Sequence, residues 1–587
     1  MTFIFKVGDV EGRSVLLNRF QWDSLRLFCI LEKGRVMGHS FSSLYRKQIV
    51  EQLQQDTYDL IVIGGGVTGA GIALDGVVRG LKVALLDMQD FAAGTSSRST
   101  KLVHGGLRYL KQGEIKLVRE VGRERAIVHA NAQHVVTPEW MLMPIIKGGT
   151  YGRLTSSIGI LLYDFLAGVK KHERRRMLSK KETLAKAPLL RSDDLIGGGY
   201  YVEYRTDDAR LTIEIMKEAV NRGAIAMNYI EVQDFIYSDG KIIGVRAQDH
   251  QTSQEVTVRA SQIVNAAGPW VDTLREIDHS KRGKQLHLTK GVHLVIDHSR
   301  FPLEQAIYFD TEDKRMLFAI PRDGKTYVGT TDTNYTGNIA SPFMTAADRE
   351  YLLASTNARF PSLLLTAQDV ESSWAGIRPL IHEEGKAPSE LSRKDELIES
   401  PSGLITIAGG KLTGYRKMAE RIVDLVTSRL SIVHGRTYPS CTTDQIRLSG
   451  GTFEEDFQSF MDKWIQIGME YGLSPARSAE LVQRYGSNVE QVFAHIKPMA
   501  YKAYLLGIDS GILAALRYGM DHEMVTHPLD FLSRRSSAIN FNHNEARKWI
   551  QPVIRYMAEV LKWDNNQTAL YKSEAEEAFR MAREVAE

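Results

Sequence analysis

The stretch with the most definite chemistry is Gly64-Gly65-Gly66-Val67-Thr68-Gly69, a GxGxxG turn followed by Asp87 about 20 residues on. The apolar run 60–63 reads as a buried parallel strand, the residues after the turn as a helix that ends at Gly80, and 82–86 as a second strand. The turn therefore lies inside a βαβ unit. Glycine there lets the backbone approach a pyrophosphate, the helix N-terminus favours the anion, and Asp87 can accept hydrogen bonds from ribose hydroxyls. A glycine-rich turn that only packs a helix onto a sheet would leave Asp87 unexplained. A carboxylate at that position also disfavours a 2′-phosphate, so FAD or NAD is expected rather than NADP.

Three further blocks carry candidate chemistry. Gly94 to Tyr109 offers the hydroxyls of Thr95, Ser96 and Ser97 for phosphate and ring contacts, His104 as a possible base and Arg108 as a fork for an anion. A serine-rich loop with a surface arginine is the plainer reading of the same residues. Asn265-Ala266-Ala267-Gly268-Pro269-Trp270 ends a short strand in small residues. Gly409-Gly410-Lys411-Leu412-Thr413 follows a strand at 404–408 and precedes a helix whose N-terminus could offer N–H groups to a bound ring. Taken singly, the last two are common strand-to-helix turns.

The elements that must position these blocks change character along the chain. Asp239-Gly240 lies between strand-like runs 234–238 and 241–246, and Asp323-Gly324 between 316–321 and 326–329, both strong hairpin signals. A parallel unit followed by antiparallel ribbons predicts an α/β protein: a Rossmann-type dinucleotide-binding domain interleaved with a mixed or antiparallel-sheet substrate domain over 58–436. A separate helical domain is expected over 437–587. Residues 1–57 read as an extension ending in a short polar helix at 40–55. One reading makes Met37 the true start, with Glu32-Lys33-Gly34-Arg35 a translated ribosome-binding site; the other makes 1–36 a genuine extension.

The 587 residues are 43% hydrophobic and 25% charged, as expected of a globular protein, and 74 basic residues against 71 acidic give a net charge of +3. So balanced a charge gives no support for a nucleic-acid partner. No run of about 18 apolar residues exists for a membrane span, and early charges interrupt any secretory signal. Cys29 and Cys441 make neither a disulfide framework nor a CxxC pair; HExxH and GxSxG are absent, and no metal site is expected.

Together, in order and spacing, the four blocks resemble the FAD-dependent glycerol-3-phosphate dehydrogenases of the D-amino-acid-oxidase-like flavoproteins, with the stretches 96–109, Gly376-Ile377-Arg378-Pro379-Leu380 and 409–416 the most specific. The resemblance is closest to the bacterial aerobic enzymes. It implies FAD, held noncovalently, with Gly64, Gly66 and Gly69 at the pyrophosphate, Asp87 on the ribose, and Thr95, Ser96, Ser97, Ala267, Gly268, Thr331 and Gly409–Thr413 as further cofactor contacts. It implies a substrate-phosphate cluster of Arg108, Arg378 and Lys411 with Tyr109 and Arg393, and places His104 and His293 in the active site, with Arg378 beside the reacting groups. Such a cluster suits a dianionic phosphate by charge-assisted hydrogen bonds, and neutral histidine suits removal of a hydroxyl proton. His104 is the first choice of base and His293 the second; in its apolar run, His293 also reads as a structural residue. Arg378→Ala is expected to weaken substrate binding by about 3–5 kcal/mol if the ion pair is desolvated.

The implied reaction is oxidation of sn-glycerol 3-phosphate to dihydroxyacetone phosphate with electrons passed to a membrane quinone, the nearest rival being an oxidase that makes peroxide from oxygen. An apolar stripe at Ile158, Leu161, Leu162, Phe165 and Val169 precedes Lys170-Lys171-His172-Glu173-Arg174-Arg175-Arg176. That pairing suits docking on an acidic bilayer, although a core helix with a basic end has the same pattern. Relatives are peripheral membrane proteins, so a cytoplasmic protein on the inner face of the cell membrane is expected, and a homodimer is possible.

Overall fold

The computed structural model describes residues 5–8, 14–17, 41–104, 115–149, 174–383 and 395–585. Strand Thr57–Ile63 is buried over its apolar run and pairs in parallel with Val83–Leu86 on one side and Gln254–Asn265 on the other. Parallel strands buried on both faces need continuous apolar sequence, which is why 60–63 is legible. The sheet extends through Ile225–Met227 beyond Val83–Leu86, and on the other edge through the antiparallel ribbon Ile230–Ser238 and Lys241–Asp249. Ile405–Ala408 joins the end of Gln254–Asn265 in parallel and carries Glu396–Glu399. The third block thus ends a long strand whose first half pairs with the ribbon and whose second half pairs with Thr57–Ile63 on the nucleotide side. Helix Val67–Val78 crosses over this sheet against helices Asp208–Asn221 and Tyr415–His434.

A second sheet, ten strands and mostly antiparallel, forms the substrate domain. Its spine is the pair Lys284–Asp297 and Val370–Glu383, in register Gly291↔Gly376 and His293↔Trp374. Lys325–Gly329, Met316–Arg322, Ala306–Asp310, Val136–Ile146 and Leu195–Thr206 continue it. Both Asp-Gly pairs are two-residue hairpin turns with positive φ at each residue: Asp239 49° and Gly240 72°, Asp323 51° and Gly324 74°. This is the geometry that twisted antiparallel strands require.

From Phe457–Glu470 to Asn565–Arg583 the described chain is helical and has its own apolar core, centred on Leu481, Ile512, Leu516 and Val553. Four of its described helices start on a side-chain cap, among them the one where Ser474 accepts from Arg477 N, with Pro475 in the first turn. It is not separate electrostatically. Glu523 accepts from Arg210 and Lys217 of the nucleotide domain, and Asp90 of that domain accepts from Arg535 at 2.7 Å, with all five side chains buried. Residues 41–55 are likewise built in: Ser42 and Ser43 donate to Met520 O, and Arg46 binds Asp249 at 2.8 Å. Phe5–Gly8 and Ser14–Leu17 pair as a short hairpin. Met37, Arg108, Tyr109, Arg393 and the 158–173 stripe lie outside the described residues.

Candidate active site

A cleft of about 540 Å³ runs over the first sheet from Asp87 and Ile230 past Gly64, Gly66 and Ala266–Gly268 to Gly409–Leu412. Gly64 has φ 112° and no room for a Cβ, which would lie 2.5 Å from Ala266 O. Gly69 is needed behind the turn, where a Cβ would fall 1.8 Å from Gly64 O. The turn is thereby pressed flat, leaving backbone rather than side chain at the cleft floor. Helix Val67–Val78 starts with no capping side chain from Gly66; Val67 N donates to Ser96 Oγ at 3.0 Å. Asp87 accepts from Gly65 N at 2.6 Å and Gln89 N at 2.8 Å. Burial raises its pKa to about 6 against those two bonds. A flat glycine floor beside an uncapped helix start, with a carboxylate at one end, fits a dinucleotide's pyrophosphate and ribose.

A second cavity, about 600 Å³, lies under the antiparallel sheet and shares Thr95, Ser99, Pro379 and Gly410–Leu412 with the cleft. The two are therefore one continuous site. The loop between them is bolted in place. Ser99 and Lys101 both bind Asp208, at 2.7 and 2.6 Å, Trp374 Nε1 donates to Ser99 O at 3.1 Å, and Thr95 Oγ1 donates to Ile377 O at 2.8 Å. This chamber holds both predicted histidines and the two described cations of the predicted cluster, Arg378 and Lys411.

Arg378 lies across Gly291 and donates to Thr331 O at 3.1 Å, Thr330 Oγ1 at 2.9 Å and Asp332 Oδ1 at 3.3 Å. The diagonal cross-strand neighbour being glycine makes room for the guanidinium. His104 is half-buried on the wall, edge-on to Phe318. Burial, then Lys411 and Arg125, lower its pKa to about 3, so its imidazole is neutral and, on its own, a weaker base than a free histidine. His293 is buried, stacked on Trp374 with centroids 4.7 Å apart, and its Nε2 lies 3.0 Å from Thr100 Oγ1. Burial, Arg378 and Lys101 hold its pKa well below the usual histidine value.

The predicted cofactor residues divide between the walls. Gly64, Gly66, Asp87, Thr95, Ser96, Ala267, Gly268 and Gly409–Leu412 line the nucleotide cleft. Thr331 and Thr413 line the chamber instead; Thr331 accepts from Val292 N and Thr413 donates to His104 O. Gly69 and Ser97 line neither: Gly69 packs beneath Gly64, and the Ser97 carbonyl accepts from Lys101 Nζ at 3.0 Å. The chamber also contains cations that the sequence reading passed over: Arg98, Lys314 and Arg315. Arg98 stands in the loop that follows Gly94, donates to Ala340 O at 3.1 Å, and has its pKa lowered to about 10 by burial and by Arg534. Lys314 and Arg315 sit at a turn whose proximity only the sheet order reveals.

A dinucleotide cleft that opens into a cation-bearing chamber on a second sheet defines a flavoprotein oxidoreductase. Residues 59–415 match the FAD dependent oxidoreductase family, and 441–568 match the C-terminal domain of alpha-glycerophosphate oxidase. The aerobic glycerol-3-phosphate dehydrogenase of Bacillus subtilis (strain 168) is 58% identical over 90% of this chain and 96% of its own length; that of Staphylococcus aureus (strain USA300) is 53% identical over 93% and 98%. The glycerol-3-phosphate dehydrogenase of Bacillus halodurans, solved with FAD, superposes with a TM-score of 0.81 at 50% identity, covering 93% of this chain and 99% of that one. L-alpha-glycerophosphate oxidase of Mycoplasma pneumoniae shares the fold at 17% identity (TM-score 0.53, covering 66% and 97%). The chain belongs to the FAD dependent oxidoreductases and, among them, to the aerobic glycerol-3-phosphate dehydrogenases.

Proposed function

We propose that the chain oxidises sn-glycerol 3-phosphate to dihydroxyacetone phosphate and passes the electrons to a membrane quinone. The observation that carries the reading is the placement of Arg378 and Lys411 on a chamber continuous with the dinucleotide cleft. Gly64, Gly66, Asp87, Ser96 and Gly409–Leu412 would hold FAD, which when bound accepts a hydride from carbon. Arg378 and Lys411 hold the phosphate dianion, a contact that fixes the substrate's other end and so orients its C2–H bond. His104, neutral beside Lys411, takes the C2 hydroxyl proton at its free ring nitrogen; a bound dianion offsets the Lys411 charge and strengthens it as a base. Arg108, Tyr109 and Arg393 complete the phosphate cluster in this reading.

The test is the visible spectrum of the purified protein, without oxygen, before and after addition of glycerol 3-phosphate. Bleaching with that compound and not with glycerol supports the reading; a flavin that stays oxidised overturns the substrate. Peroxide produced in air at the turnover rate would instead favour the oxidase reading. A cytoplasmic protein held on the inner membrane face requires the exposed Arg174 and Arg176 to meet acidic lipid. Flotation with anionic vesicles should fall when Arg174–Arg176 are neutralised, and unchanged flotation would discard that surface.

A further inference from the structure

Away from this site, a cavity of about 750 Å³ opens where the substrate sheet meets the helical domain. One side is formed by the end of strand Leu195–Thr206 and the Asp323-Gly324 turn, the other by helix Pro475–Tyr485, residues 536–542 and Trp549. Its acceptors are taken. Asp207 is bound by Arg322 at 3.1 Å and by Ser537 at 2.6 Å, Asp323 by Arg322 at 3.0 Å, and Glu480 by Arg484 at 2.9 Å.

Its donors are not. Arg205 meets Glu139 through Nε at 3.3 Å, and neither of its Nη groups hydrogen-bonds to a described residue. His134 is 2% exposed and neither ring nitrogen has a hydrogen-bond partner. Trp549 is 7% exposed and its indole N–H reaches no described acceptor. The two His134 nitrogens are buried without partners, which is costly, and a planar guanidinium fork and an indole N–H on the same wall match the oxygens of a phosphate. The aromatic faces of Trp549 and Phe541 give the rest of the wall an apolar character suited to a small organic ligand. We propose that this interdomain cavity is a second ligand site, which takes a small phosphorylated anion.

The test uses the full-length, FAD-loaded protein. Pyrophosphate is titrated calorimetrically with dihydroxyacetone phosphate in excess to fill the substrate chamber, and crystals are soaked in tungstate, whose anomalous signal locates an oxyanion. The proposal expects pyrophosphate binding weakened at least about tenfold by Arg205→Gln, and several-fold by Trp549→Phe, which removes the N–H and keeps a smaller aromatic ring. It expects a tungstate peak within hydrogen-bond reach of Arg205. Equal binding by wild type and both variants, no binding, or tungstate confined to the substrate chamber or the outer surface would overturn it. If Arg205→Gln does not fold, the Trp549→Phe comparison and the tungstate position decide.

Discussion

Replacing Gly291 by alanine should damage phosphate binding while leaving the fold intact. Gly291 is an ordinary strand residue without positive φ, so alanine fits its backbone. Its new Cβ would lie 2.2 Å from Arg378 Nη2 and 2.5 Å from Thr330 Oγ1, where ordinary contact begins at 3.4 Å. Both are ends of side chains that can swing away, so the collision moves the guanidinium rather than the strand. A retreat of that size breaks the 2.9 Å bond to Thr330 and withdraws the fork from the chamber. A hydrogen bond to a charged group contributes about 1.5–3 kcal/mol. The Arg378 side chain is 28% exposed, and Asp332 at 3.3 Å already offsets part of its charge, so the lower figure applies. That is roughly a tenfold loss. By the same reasoning Arg378→Ala costs about 2–3 kcal/mol, below what a fully desolvated pair would give. The assay is steady-state oxidation of glycerol 3-phosphate with an artificial acceptor, together with flavin content and thermal midpoint. KM should rise roughly tenfold in Gly291→Ala, with both controls unchanged. A kcat/KM within twofold of wild type at full flavin content would remove Arg378 from the phosphate site.

Three further outcomes are expected. His104→Gln should slow flavin reduction by roughly 10²-fold or more in a stopped-flow measurement. His293→Gln, at a ring packed on Trp374 and tied to Thr100, should slow it less; the reverse order would exchange their roles. FAD affinity should rise with pH through about 6, because Asp87 must lose its proton to act purely as an acceptor, and Asp87→Asn should flatten that dependence in a flavin-fluorescence titration. Burial alone would raise the pKa of Glu523, but Arg210 and Lys217 hold it at about 2 against an ordinary 4.5. Its stabilisation is therefore complete above about pH 4.5 and is lost as pH falls toward 2. Glu523→Gln should cost about 3 kcal/mol at neutral pH by leaving Arg210 and Lys217 to share the buried Glu214, which meets them at 2.8 and 3.2 Å, and should flatten the acid limb of a denaturation profile. An unchanged midpoint would mean that the Glu214 ion pairs alone satisfy both cations.

What the sequence makes legible follows from how far apart the cooperating residues stand. The nucleotide turn is readable because each constraint is local. Gly64 must take a positive φ, Gly69 must lie against it within one helical turn, and Asp87 ends the next strand. The Asp-Gly hairpins are readable for the same reason, since two residues set the turn. The chamber is only half readable. His104, Arg378 and Lys411 stand in motifs, but the space that admits the Arg378 guanidinium is set by Gly291 on a neighbouring strand, through a register that no local pattern states. Arg98 is invisible for a different reason: a lone arginine in a polar loop has the composition of a surface residue, and only the sheet beneath it takes it partly out of water. Least readable is the union of the helical domain with the rest. Arg210 and Glu523 are 313 positions apart, Asp90 and Arg535 445 apart, and each reads alone as a solvated charge. Charges that would be expensive unpaired meet only when both domains dock, so the same network that hides from the sequence can penalise every misaligned docking.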